Sequence, residues 1–326
     1  MKRKKAKKVL PPKPNGPGVY RRWWLRAAGL AIALFLGFRL FANQTNQAKD
    51  AAISSPAVAA TTSFKQPTTF EDLLAIPTKD LGQVDIARMN LLCMQGLPDS
   101  DEIDIPQCLA TLDDWAAKIR QQTEVYHYQY TRNTAKFANS ENQFRMMMLM
   151  STLGDDLGVT YDARHPNSEP NASFFAKIDT ISIHEILGPR RCGTCASLPI
   201  VVVALCNRLG YPVKLVHTPT HAFVRWDDGS ERFNIETTRL GGLGTNPDEK
   251  YRDAHGGLTD EAIAAEGYLQ SMTPAQALAD CLETRIYFLG LHHVPQKDLN
   301  PLLEKCVQLT PTTKMWRPRP LKPETP

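Results

Sequence analysis

Apolar residues in the first half of the chain recur at intervals of three and four, the period of a helix that buries one face. That spacing predicts helices over residues 84–95 and 104–122. The second carries Leu109, Leu112, Trp115, Ala116 and Ile119 on one stripe, with Pro106 in its first turn. Thr69 is a suitable cap for a short helix before them, and residues 142–157 continue the helical character. The methionines there, Met146, Met147, Met148 and Met150, read as core filling and not as metal or haem ligands. A longer apolar run, 196–209, ends at Gly210 with Pro212 beyond, which is helix punctuation. Cys195 then falls in the first turn, where Pro199 is tolerated.

The period changes after this helix. Residues 221–226 and 231–236 alternate in character, and Asp228-Gly229 between them signals a two-residue hairpin turn. Such a turn pairs Asp227 with Ser230 and sets His221 directly opposite Glu236. Ala222, Val224, Phe233 and Ile235 occupy the other face, a core surface. Beyond a glycine-rich loop at 241–244, Thr273-Pro274-Ala275-Gln276 forms a capping box for a helix reaching about residue 289, and Asn300-Pro301 starts a second. The pair reads as a helical hairpin packed as a cap on the core. The predicted class is α+β, a helix bearing Cys195 packed on an antiparallel sheet, with a helical N-terminal section and a C-terminal helical hairpin.

Composition changes this picture at the ends of the chain. Of the 326 residues 42% are hydrophobic, enough for a substantial core, which excludes a disordered chain. The net charge of +4 is unevenly held: residues 1–26 contain ten Lys or Arg and no acid, leaving the remainder at −6. The basic run precedes an apolar block, residues 23–42, with Trp23 and Trp24 at one edge and Arg26 and Arg39 near its ends. That order predicts a cytoplasmic tail over 1–22 and a transmembrane anchor over 23–42, not a nucleic-acid partner. A cleaved signal peptide is the alternative, because the apolar centre between the arginines spans only 27–38. Residues 43–69 read as a flexible linker and 311–326 as an extended proline-rich tail. Seven cysteines allow three disulfides and one free thiol. Cys93 with Cys108, and Cys281 with Cys306, are the pairs the helix order suggests, and Cys206 belongs to the core.

The candidate chemistry lies between residues 190 and 238. A cysteine at a helix start is favoured as thiolate by unpaired N–H groups and the helix dipole, and the thiolate is the nucleophile. A histidine on the following strand and an acid on its neighbour complete a nucleophile, base and orienting group: Cys195, His221 and Glu236. The Cys195 backbone N–H is a candidate oxyanion donor. Arg190 and Arg191 either raise the local positive potential or form a solvated pair, and His184 reads as structural. Cys192-Gly193-Thr194-Cys195 is also a C-x-x-C, so thiol–disulfide exchange is a rival, though it leaves His221 and Glu236 without a role. Structural zinc lacks a second ligand pair. No cofactor or metal is expected, and a catalytically silent binding module is the non-enzymatic rival.

Gly193-Thr194-Cys195 at a helix start, T-H-A-F-V-R-W from Thr220 and F-N-I-E-T-T from Phe233 resemble the three core blocks of the transglutaminase-like superfamily of papain-like cysteine enzymes. The resemblance implies a papain/transglutaminase-like core with Cys195 as nucleophile, His221 as base and Glu236 in place of the usual Asp. It implies a hydrolase or acyltransferase acting on peptide or amide bonds of a peptide or protein substrate. The helical segments upstream, including L-G-D-D-L-G-V-T-Y-D, are similar to a bacterial subgroup with a tetratricopeptide-like tail, some members of which lack the cysteine. On that footing the chain divides into a lead-in at 70–160, a catalytic core at 161–250 and a helical cap at 251–310. The anchor would hold the domain on the periplasmic side of the inner membrane.

Overall fold

The computed structural model describes residues 64–162, 164, 172–254 and 257–312. The predicted basic tail and membrane anchor, the linker up to residue 63 and the proline-rich tail from residue 313 lie outside the described residues. Among the described residues no helix is long and apolar enough to cross a membrane.

The lead-in is helical. Helix α1 (Phe70–Ala75) starts with a reciprocal capping box between Thr69 and Asp72, and α2 (Ile86–Met94), capped by Asp85, is buried along nearly its whole length. Helix α3 (Ile105–Arg132) begins at Asp104 and Pro106 but continues ten residues past the predicted end. Its extension carries Tyr126 and Tyr130, which pack with Phe137, Phe144 and Met148 in a separate aromatic cluster. Helix α4 (Glu141–Ser151) buries Met146, Met148 and Met150. It closes in a wide turn, Thr152–Asp156, where Leu157 donates to the Thr152 carbonyl five residues back. Gly154 lies on the backbone of the later loop: a Cβ there would sit 2.4 Å from the Gly241 nitrogen.

Two short strands, β1 (Thr160–Tyr161) and β2 (Cys192–Gly193), pair in parallel. Between them run three single-turn helices, α5 (Ala172–Phe175), α6 (Ile178–Ile181) and α7 (His184–Leu187). Helix α8 (Leu198–Leu209) is the centre of the core, with Leu198 to Cys206 all buried and Gly210 closing it at φ 75°. It packs on α2, α3 and an antiparallel sheet of β3 (Val213–His217), β4 (Ala222–Asp227) and β5 (Arg232–Ile235), in that order. Helices α9 (Asp248–Ala254) and α10 (Asp260–Glu266) follow, then the antiparallel pair α11 (Pro274–Leu291) and α12 (Gln296–Leu309). The architecture is therefore α+β, a small sheet among many helices.

Several expectations are corrected. Helix α8 starts at Leu198, so Cys195 precedes it in a separate turn. The hairpin has a four-residue loop, Asp228 to Glu231, and Asp227 pairs with Arg232, a register two residues away from the predicted one. The Asp228 carboxylate accounts for this by accepting from Trp226 Nε1, the backbone N–H groups of Ser230 and Glu231 and the Ser230 hydroxyl. Helix α12 begins at Gln296 after Pro295, so Pro301 lies inside it. The described cysteines are all thiols. Cys93 is hydrogen-bonded to Cys281 and not paired with Cys108, because α2 packs along α11. Cys306, also near Cys93, points its thiol at the Ala279 carbonyl, and Cys206 is in the core against Met146.

Candidate active site

The approach to Cys195 is shaped by two buried hydroxyls. Thr160 N–H donates to Arg191 O and Asp162 N–H to Gly193 O, both at 2.8 Å, which fixes the strand leading to the nucleophile candidate. Gly193 then passes under α7 so closely that a Cβ would lie 2.4 Å from Ile186 Cδ1. Thr194 caps the next turn. Its hydroxyl donates to Thr180 O at 2.6 Å and accepts from Ala196 N–H, while its own N–H donates to Ser197 Oγ at 3.0 Å. Leu198 N–H reaches back to Thr194 O at 2.9 Å, so the turn leads directly into α8. Cys195 sits at the head of this turn, 6% exposed.

His221 stands just before β4, held by a tight turn in which Thr218 donates its N–H to His221 O at 2.8 Å. Its ring nitrogen Nε2 is hydrogen-bonded to Glu236 Oε2 at 2.9 Å, and the Cys195 side chain lies close enough to act on the ring. The structure thus brings together all three residues singled out in the sequence. Glu236 does so from a diagonal position. In the observed register it lies across from Phe223, and its side chain slants along the shared face to reach His221.

The carboxylate is held on every side. Oε1 accepts from the Thr238 N–H at 3.0 Å and hydroxyl at 2.7 Å, and Oε2 accepts from His221 and from the Tyr251 hydroxyl at 3.3 Å. Burial raises the Glu236 pKa, but its bonds to His221 and Thr238 and the imidazolium charge outweigh that and bring it down to about 2. For His221 burial works downward, and the bonds to Cys195 and Glu236 with their charges prevail, raising it to about 9. Both directions describe one thing, a buried carboxylate that stabilises an imidazolium.

Tyr161 on β1 is a neighbour that the spacing of motifs did not single out. Burial, and then the charges of Cys195, Asp162 and Glu236, push its pKa up to about 12, so its phenol keeps its proton. The arginines before the cysteine do something different from activation. Arg190 is paired with Asp179 and Glu185 and approaches the Cys192 sulfur at 3.6 Å. Arg191 lies over the Trp115 ring, 4.6 Å from its centroid. His184 bonds Ser182 Oγ at 2.7 Å. Among the described residues no cluster of His, Cys, Asp or Glu could hold a metal ion.

A family model described as transglutaminase-like superfamily matches residues 106–283, a span containing Cys195, His221 and Glu236. No curated protein and no solved structure matches the chain.

Proposed function

The chain belongs to the transglutaminase-like superfamily, and from that premise we propose that it is a cysteine hydrolase or acyltransferase acting on a peptide or amide carbonyl. The observation that carries this reading is the His221 ring bonded to Glu236 at 2.9 Å with the Cys195 thiol as its other neighbour. His221 takes the thiol proton, and the Cys195 sulfur attacks the carbonyl carbon. The oxyanion is met by the Cys195 backbone N–H, with the Tyr161 hydroxyl beside it. The imidazolium returns its proton to the departing amine as the C–N bond breaks, leaving a thioester on Cys195. Water then releases the acid, or a second amine takes the acyl group, with His221 again accepting a proton. Glu236 keeps its charge throughout and holds the ring in place. Residues 23–42 act as a single-pass anchor that holds this domain outside the cytoplasm, a reading supported by the basic run before the apolar block.

The test uses exposure as its control. Cys192 is half-buried and Cys195 is 6% exposed, so accessibility alone predicts that Cys192 alkylates first. The proposed chemistry predicts that Cys195 reacts faster with iodoacetamide at pH 6, and that His221→Gln abolishes this advantage. Faster labelling of Cys192 in the wild type refutes the proposal. A second reading, a silent binding module, is favoured by that same low exposure of Cys195. A cavity of about 600 Å³, lined by Asp85, Arg208, Lys214 and Met272 among others, also includes none of the three residues. It predicts slow, His221-independent labelling of Cys195.

A further inference from the structure

We infer that Tyr251 is a positioning residue for the Glu236 carboxylate, its hydroxyl and ring together fixing the acid and the imidazole from the far side of the hairpin. This rests on the reading of Cys195, His221 and Glu236 given above. Nothing in the sequence around Tyr251 suggests it, because α9 reaches the site only through the fold.

Three observations converge. The Tyr251 hydroxyl donates to Glu236 Oε2 at 3.3 Å, the same oxygen that takes His221 Nε2, and it accepts from Asn246 Nδ2 at 3.4 Å, which fixes the direction of its own proton. The ring lies flat on Phe223, with centroids 3.8 Å apart and planes 6° apart, and 6.1 Å from the His221 ring at 18°. The residue is only 4% exposed. The helix that carries it is tied down independently. Asn234 Nδ2 donates to Asn246 O at 2.9 Å and to Asp248 Oδ1 at 2.7 Å, and Asp248 also takes the buried Arg225 guanidinium. The hydroxyl is thus delivered to the carboxylate by a structure that does not depend on the carboxylate.

The charged and titratable groups facing Glu236 are His221 from the turn before β4, Tyr251 from α9, Tyr161 from β1 and Cys195 from the turn before α8; Asp248 faces Tyr251. Removing only the hydroxyl deprives Oε2 of its second donor. Glu236 then loses one of the bonds that fix its position, so it orients the His221 ring less firmly and Cys195 reacts more slowly in acid solution. The loss is worth one long hydrogen bond to a carboxylate, about three- to tenfold in the equilibrium.

The experiment is Tyr251→Phe in the full chain, with Cys195 alkylation by iodoacetamide followed from pH 5 to pH 9. The rate at pH 6 is expected to fall about three- to tenfold relative to wild type, with the pH 9 rate unchanged. Phenylalanine keeps the stacking on Phe223, so a role in packing alone predicts superimposable profiles, and superimposable profiles overturn the inference. Should Tyr251→Phe fail to fold, Asn246→Ala removes the donor onto the tyrosine oxygen together with an exposed bond from Lys250, while its backbone carbonyl still takes Asn234. That variant is expected to shift the profile in the same direction by less, and no shift overturns the inference. A wild-type Cys195 that reacts at pH 6 no faster than Cys192 overturns both this inference and the reading beneath it. A fast wild type with an unchanged Tyr251→Phe overturns this inference alone.

Discussion

Glu236→Asp should cost the site most of what the carboxylate provides, although it keeps both the charge and the chemical type. Val224 pairs with Ile235, so continuing the ladder sets Glu236 across from Phe223 and not across from His221. Diagonal neighbours on one face are about 7–8 Å apart at the backbone, against about 5 Å for direct partners. The glutamate side chain closes that distance to a 2.9 Å bond. Aspartate is shorter by one C–C bond, about 1.5 Å, which opens the contact to about 4.4 Å, beyond hydrogen-bonding range. The carboxylate is not free to follow, because its other oxygen is held by Thr238 at 3.0 and 2.7 Å.

The size of the effect follows from His221. The rise from its ordinary 6.5 to about 9 is shared between Cys195 and Glu236 and corresponds to about 3 kcal/mol in favour of imidazolium. If the acid supplies roughly half, its loss is about 1–2 kcal/mol, or about tenfold in the ease of forming the charged pair. Cys195 alkylation at pH 6, followed by mass spectrometry of its peptide, should therefore slow about tenfold in Glu236→Asp. Glu236→Gln, which keeps the reach and loses the charge, should slow at least as much. A Glu236→Asp protein that alkylates at the wild-type rate would refute the diagonal geometry and the coupling drawn from it.

Stability should follow pH through the same residue. The folded-state pKa of His221 is raised to about 9, so its contribution is complete below 6.5 and is lost as pH rises through 9. Urea titrations should show the wild type losing up to about 3 kcal/mol more than His221→Gln over that window, and parallel curves would exclude the coupling. Gly193→Ala should destabilise by about 1–3 kcal/mol, since the new Cβ would lie 2.4 Å from Ile186 Cδ1 in a buried position. Ile186→Val, which removes that carbon, should recover part of the loss in the double variant; a Gly193→Ala protein as stable as wild type would show that the passage under α7 is loose.

The hairpin was legible in the sequence to the extent that its side-chain period is two. A register error of two residues leaves every side chain on its own face, so His221 and Glu236 still share one and Val224, Phe233 and Ile235 the other. What the dipeptide Asp228-Gly229 could not reveal is that the Asp228 carboxylate gathers the loop around itself. The rest of the site was hidden for a different reason. Strands of two residues such as Thr160–Tyr161 have no periodicity to read, and Val213–His217 is short and lies directly after a proline. Tyr161 and Tyr251 become neighbours of Cys195 and Glu236 only through β1–β2 pairing and the return of α9. The cysteine pairs failed likewise: adjacency along the chain suggested Cys93 with Cys108, whereas the packing of α2 on α11 brings Cys93 to Cys281.

The hairpin face opposite Val224, Phe233 and Ile235 carries polar residues, and in the structure a second layer covers it. Arg225 shares that face with His221 and is fully buried. Its guanidinium is satisfied by Asn234 at 2.6 Å, the Leu269 carbonyl at 2.8 Å and Asp248, partners from three separate segments. A buried charge left unpaired would be strongly destabilising, so this network commits Asp248 and Leu269 to lie over the hairpin. The consequence reaches the site. His221 and Glu236 keep only 16% and 10% of their side-chain surfaces exposed, and with less water between them each charge acts more strongly on the other. Arg225 therefore contributes to the chemistry of Cys195 without touching it, by holding in place the layer that makes the carboxylate and imidazole effective.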